Sequence, residues 1–282
     1  MTPARDRFTR FAAIDWSGAK GDRHRGIAVA TCEAGDAAPR LIAPPAPQWS
    51  REAVLAWLLA QRDTPILVGF DFSFSAPFVE RGAHLPGDAA TADARALWAR
   101  IDSACDDVDL GAASFLEHRR GTHFYFGKAD GEKARFLFYR TCERAGKPST
   151  VYDAIGASQV AKASFAGMRL LHRLAGRVPV WPFDPVGAHG AAVVEIYTTI
   201  AARAAGVRKG RSKLRDAASL DAALAAIGSR PHLPLAAYDD HATDAILTAA
   251  WLRGAVHRTD LWAPPAMTPL VARTEGWTFG VT

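Results

Sequence analysis

Apolar positions follow two rhythms along the chain. Residues 11–16, FAAIDW, form a short apolar run that closes on an acid and a tryptophan. The turn-forming Ser17-Gly18-Ala19-Lys20-Gly21 comes next, and residues 26–31, GIAVAT, are apolar again, so the spacing predicts a β-hairpin. A weaker strand is expected at 40–43. Ser50 stands as an N-cap before SREAVLAWLLAQR, in which Glu52 occupies the first turn and apolar residues recur at helical spacing. Residues 66–72, ILVGFDF, are almost continuously apolar, as in a strand covered on both faces. The first quarter therefore reads β-β-β-α-β, with Asp15 and Asp71 at the ends of two buried strands.

Beyond residue 72 the pattern predicts helices at 89–101 and 132–145, separated by the basic and aromatic EHRRGTHFYFGKADG. The stretch of roughly 73–160 reads as an insertion carrying part of a binding surface. Residues 157–175 are amphipathic at helical spacing, VPVWPFD reads as a strand, and AAVVEIYTTI as a second strand after the glycine-rich turn at 187–190. ASLDAALAAIG is a helix stopped by Gly228, and residues 240–253 form the last long helix, with Gly254 just past its end. Neither a repeat nor a linker divides the chain, which reads as a single domain over 1–282.

Composition narrows the class. With 49% hydrophobic and 22% charged residues in 282, the chain has the means to bury a core, and low-complexity or strongly acidic tail proteins are excluded. The formal net charge of +5 permits a polyanionic partner without demanding one. Cys32, Cys105 and Cys142 are far apart and odd in number, which fits reduced cytosol and neither a disulfide framework nor a zinc ribbon. No signal-peptide core and no apolar run of about 18 to 20 residues is found, so a cytoplasmic protein outside the membrane is expected.

The candidate chemistry is acidic. Asp240 and Asp244 are four residues apart and share a helix face, so both can reach the sheet edge where Asp15 and Asp71 end their strands. Carboxylates converging from separate elements repel unless a cation compensates them, and such hard oxygen ligands suit Mg²⁺ or Mn²⁺. Glu195, inside the apolar run, is a further candidate, because a buried charge is costly without a partner or a metal. Taken singly, Asp15 and Asp71 are as readily turn residues, and Asp240 is a good N-cap. Asp244 lies past the first turn, where capping does not explain it.

In order along the chain, AAIDWSGAKGDRHRGIAVA, LVGFDFSFSAP, VVEIYTT and HATDAILTAAW resemble motifs of the ribonuclease H-like superfamily. More narrowly, they resemble a branch of predicted nucleases in domain-of-unknown-function family 429, as does SQVAKASFAGMRLLHRLAGRVPVWPFD. The resemblance implies an α/β fold: a mixed sheet of five or more strands flanked by helices, three antiparallel strands continuing into parallel ones, with a helical insertion. It implies metal-ligand roles for Asp15, Asp71 and Asp244, with Glu195 and Asp240 beside them, and a two-metal phosphodiester hydrolysis of DNA or RNA. Thr198-Thr199 departs from the pattern, where a proline is expected. His241 and His189 are candidates to assist proton transfer.

Two segments have the composition of a phosphate-binding surface: EHRRGTHFYFGK, with Arg119 and Arg120, and ARAAGVRKGRSKLRD, with Arg203, Arg208, Lys209, Arg211, Lys213 and Arg215. Lys20, in the hairpin beside Asp15, is placed to approach a substrate phosphate. Gly121 to Lys128 fails as a phosphate loop, having five residues between its glycines and Ala129 where Ser or Thr should stand. The rival readings are an actin-like or sugar-kinase-like ATP-dependent phosphotransferase, since an Asp-x-Ser-Gly hairpin also grips ATP phosphates, and a non-catalytic binding protein of the same fold.

Overall fold

The computed structural model describes residues 5–156, 160–207 and 214–282. A five-stranded sheet of order β3-β2-β1-β4-β5 forms its centre: β1 (Arg10–Asp15), β2 (Ala28–Glu33), β3 (Arg40–Leu41), β4 (Ile66–Phe70) and β5 (Ala192–Glu195). The first three strands run antiparallel to one another, and β1, β4 and β5 run parallel. Because β1, β4 and β5 point the same way, their carboxyl ends lie along one edge.

Side-chain alternation divides the core in two. Ala12, Ile14, Val68, Phe70 and Val193 face one side, where they meet α1 (Arg51–Ala60), α2 (Ala94–Ser103), α3 (Ala113–Glu117) and α4 (Val160–Arg173). Phe11, Ala13, Leu67, Val194 and Ile196 face the other, against α5 (Thr198–Ala204), α6 (Ala217–Ala226), α7 (Asp240–Ala255), α8 (Thr259–Trp262) and α9 (Pro269–Thr274). A strand covered on both faces must be apolar throughout, as Ile66–Phe70 is. In α7, Ala245 and Ala249 are buried and let the helix lie across β1 and β2.

Local signals fixed several elements. Ser50 Oγ accepts the Ala53 amide at 3.0 Å and starts α1 as expected. Gly228, at φ 73°, follows the end of α6. Elsewhere longer-range contacts overrode the pattern. Residues 132–145 are two short 3₁₀ turns, Lys133–Phe136 and Thr141–Glu143, because the chain between them delivers Arg140 to the buried side of the sheet. VPVWPFD makes one bridge, Val180 to Val193, since Pro179 and Pro182 lack the amides a strand needs. Strand β5 stops at Glu195 and Thr198 already begins α5, so only the start of AAVVEIYTTI is strand. Asp239, not Asp240, caps α7, accepting the Ala242 amide at 2.8 Å, and the helix continues through Gly254 to Ala255. No described helix is long and apolar enough to cross a membrane.

Candidate active site

Asp15 and Asp71 are neighbours by strand pairing. The Asp71 amide donates to the Ile14 carbonyl at 3.0 Å, extending the β1–β4 ladder by one residue past Phe70. Both residues thus stand at the carboxyl ends of adjacent parallel strands, whose backbones pair at the usual spacing of about 4.8 Å. By alternation they project towards α5 and α7, as Ala13 and Leu67 do two and four residues earlier. There Thr198 Oγ1 donates to Asp71 Oδ2 at 3.3 Å, and His241 Nδ1 lies 3.3 Å from Asp15 Oδ1. Gly26 packs close to both the hairpin and that imidazole: a Cβ there would sit 3.2 Å from Ser17 Oγ and 3.4 Å from His241 Cε1.

The electrostatics follow from this packing. Burial raises the pKa of Asp71 well above its ordinary value, and the neighbouring charges of Asp15 and Asp244 raise it further against the opposing hydrogen bonds from Thr198. Burial also raises Asp15; the His241 bond opposes the rise, and the charges of Asp239 and Asp240 add to it. His241 is raised, chiefly by its bond to Asp15. Asp71, at the end of β4, therefore feels the charges of Asp15 from β1 and of Asp244 from the second turn of α7. Among the described residues no Lys or Arg pairs with Asp15 or Asp71. Asp240 lies at the rim, 3.7 Å from the Arg215 guanidinium.

By donor chemistry Asp15 and Asp71 fit a divalent cation: hard carboxylate oxygens, raised in pKa chiefly by burial, with no basic partner on Asp71 among the described residues. The side chains are not closed into a cage. Among the described residues no group of three or more His, Cys, Asp or Glu stands close enough to hold an ion as arranged.

Glu195 belongs elsewhere. Its register partner is Phe70, so it projects to the face opposite Asp71, and the expectation that it joins the acidic group is corrected by the pleat. Its compensation is Arg140, whose Nη1 donates to Oε2 at 2.7 Å and whose guanidinium also holds Glu143. The Phe74 amide donates to the same oxygen at 2.7 Å, and Thr278 Oγ1 donates to Oε1. Burial opposes the charge of Arg140, and the carboxylates of Glu143 and Glu195 overcome it, holding its pKa well above the usual value. The sequence signals Arg140 only indirectly: a buried glutamate requires a buried cation.

The expected phosphate-binding cations are engaged with acids. Lys20 Nζ lies 2.9 Å from Glu117, exposed to solvent. Arg119 pairs with Asp88 at 2.7 Å and stacks on Phe115, while Arg120 pairs with Asp130 at 2.7 Å. Of the aromatic residues that follow, Phe124 is fully buried against Phe115, Phe165 and Tyr152. Arg203 is exposed on α5, and Arg208, Lys209, Arg211 and Lys213 lie outside the described residues. His189 is exposed and joins no described part of the acidic group.

Two clefts flank the β1–β2 connection. One, of about 260 Å³, lies between Gly18, Lys20, Ser114 and Lys162. Its loop offers no open phosphate cradle: Arg51 donates to the Ser17 and Ala19 carbonyls, and the Ala19 amide is bonded to Ser17 Oγ. The other, of about 390 Å³, reaches from His24, Arg25 and Trp49 to Asp239 and His241, and so opens beside Asp15. Compared with known proteins, the chain matches no family model, no curated protein and no solved structure.

Proposed function

We propose that the protein is a ribonuclease H-like, metal-dependent phosphodiester hydrolase acting on nucleic acid. What supports this reading is the pair Asp15 and Asp71 at the carboxyl ends of adjacent parallel strands, with the charges of Asp15 and Asp244 both bearing on Asp71. In this reading the three carboxylates hold Mg²⁺ or Mn²⁺. Cations held there would supply the Lewis acidity that activates a water and stabilises a leaving oxygen. Asp15 also orients His241 through Nδ1, which leaves Nε2 to carry a proton for a leaving group. The ordering Asp15–His241 matches the general arrangement of a carboxylate fixing an imidazole.

The test is cleavage of single-stranded, duplex and branched DNA, of RNA and of RNA–DNA hybrid, with Mg²⁺, Mn²⁺ or EDTA. Asp15→Asn should abolish metal-dependent cleavage without unfolding the protein. Turnover of ATP with no cleavage of any polynucleotide would instead establish the phosphotransferase. Absence of both activities together with absence of metal binding would establish a binding protein of this fold.

A further inference from the structure

Helix α5 starts without a side-chain cap of its own. Strand β5 ends at Glu195, the Ile196 amide extends the pairing by donating to the Phe70 carbonyl at 3.0 Å, and Tyr197 stays extended at φ −133° and ψ 110° before Thr198 opens the helix. Tyr197 offers no side-chain bond to the first turn. The first amides of a helix have no partner within it and must find one elsewhere. Here the partner comes from the adjacent strand. Asp71, the residue after Phe70, accepts the Thr198 amide on its carboxylate and, at 3.3 Å on Oδ2, the Thr198 hydroxyl.

Two donors on one residue do to a carboxylate what neither does alone. A single bond leaves the planar group free to turn about it, and a second bond from the same backbone position fixes its plane. Threonine suits this task, because a β-branched side chain is stiff at χ1 and keeps its hydroxyl in one place. An ionised carboxylate has about four acceptor positions, of which these bonds take two. The charges of Asp15 and Asp244 both bear on Asp71, and their repulsion would turn an untethered carboxylate away from them. The bonds from Thr198 oppose that turn.

Resting on the reading of Asp15 and Asp71 as the cation site of a hydrolase, we propose that Thr198 is a positioning residue of that site: its hydroxyl, acting with its amide, holds the Asp71 carboxylate in the orientation in which it binds a divalent cation together with Asp15. Thr198 acts through Asp71 and touches neither cation nor substrate. The residue that opens α5 is then a determinant of metal affinity, and capping the helix is only half of its role.

The experiment titrates Mn²⁺ alone into the full chain, with no nucleic acid present, and reads binding by calorimetry and by loss of the free-ion electron paramagnetic resonance signal. Thr198→Val keeps the shape of the side chain and removes the hydroxyl, whereas Thr198→Ser keeps the hydroxyl and removes the methyl group. Thr199→Val makes the same change one residue on, where no bond to Asp71 is found among the described residues. The proposal expects Thr198→Val to weaken Mn²⁺ binding about tenfold or more, the effect of losing a partner that orients a metal ligand. Thr198→Ser and Thr199→Val should bind as the native chain does. Melting temperatures in EDTA show whether each variant is folded, and Thr198→Ala takes the place of the valine variant should that one not fold.

Native Mn²⁺ affinity in the variant without the hydroxyl would overturn the proposal and leave Thr198 as a cap of α5. A serine variant as weak as the valine one, or an equal loss in Thr199→Val, would overturn it too. A native chain that binds no Mn²⁺ would overturn it together with the hydrolase reading. The expected pattern in a chain that cleaves no polynucleotide would sustain the role of Thr198 and reject the hydrolase alone.

Discussion

Arg140 holds Glu195 from across a loop 55 residues away in sequence, on the side of the sheet that Asp71 does not face. Removing the cation leaves two buried carboxylates, Glu195 and Glu143, without compensation. Breaking such a pair costs about 3–5 kcal/mol. Arg140→Met should lower stability by that order in urea unfolding. Glu195→Gln, which leaves Arg140 paired with Glu143, should cost less, and the folded fraction should keep its metal-dependent activity.

Asp71→Asn should stabilise the metal-free protein at neutral pH. The folded-state pKa of Asp71 is raised by burial and by Asp15 and Asp244. A raised carboxyl favours folding while protonated in both states, and that advantage is lost as pH rises from the unfolded value, about 3.9, through the higher folded one. The substitution should therefore raise the melting temperature in EDTA at pH 7, and the gain should shrink as pH is lowered towards 4. A gain independent of pH would remove the repulsion argument.

Asp244→Asn and Asp240→Asn should separate. Asp244 bears directly on Asp71, whereas Asp240 is at the rim near Arg215. Cleavage should fall below detection in the first. In the second it should fall by about 10–100-fold, the usual effect of an outer partner, with the loss recovered in part at higher metal concentration. Steady-state rates across a Mn²⁺ titration measure both.

Gly18→Ala should destabilise without touching an acid. A Cβ at Gly18 would lie 2.2 Å from the backbone nitrogen of Ala163, and backbone cannot yield as a side-chain tip does. Overpacking of this kind costs about 1–3 kcal/mol. The bond from Trp16 Nε1 to the Ala163 carbonyl, 3.1 Å, should be strained with it, and tryptophan fluorescence reports the displacement.

Arg119→Ala and Arg120→Ala should leave the salt dependence of polynucleotide binding unchanged. Both guanidiniums are matched by carboxylates, so neither releases a full counterion on binding. Arg119→Ala should instead lower stability, because it also removes the stacking on Phe115. A slope that falls by about one unit in either variant would restore that loop to the binding surface.

What could be read from the sequence was mostly what is set within a few residues. The β1–β2 hairpin, the Ser50 cap and the apolar β4 depend on neighbours in the chain, and each stands as expected. That Asp15 and Asp71 end adjacent strands was legible because the ends of apolar runs restrict where those side chains go. The face of Glu195 was legible too, by counting alternate residues from Ala192, but it needed the pairing of Phe70 to fix the phase. Residues 132–145 were not, because Arg140 is drawn out of a helix by partners at 195 and 275. Tandem Asp239 and Asp240 offer the same cap chemistry, and only the carbonyl and amide positions of α7 select the first.

The burial of α7 on nearly every side has a consequence for how the site opens and closes. Amides of a helix held this way exchange with solvent only through large-scale unfolding, whereas those of a first turn exchange by fraying. Asp244, beside the buried Thr243 and Ala245, is thereby as persistent as the sheet, while Asp240 and His241 sit in the turn that frays. The acid whose charge bears on Asp71 and the imidazole bonded to Asp15 thus belong to different exchange classes on the same helix.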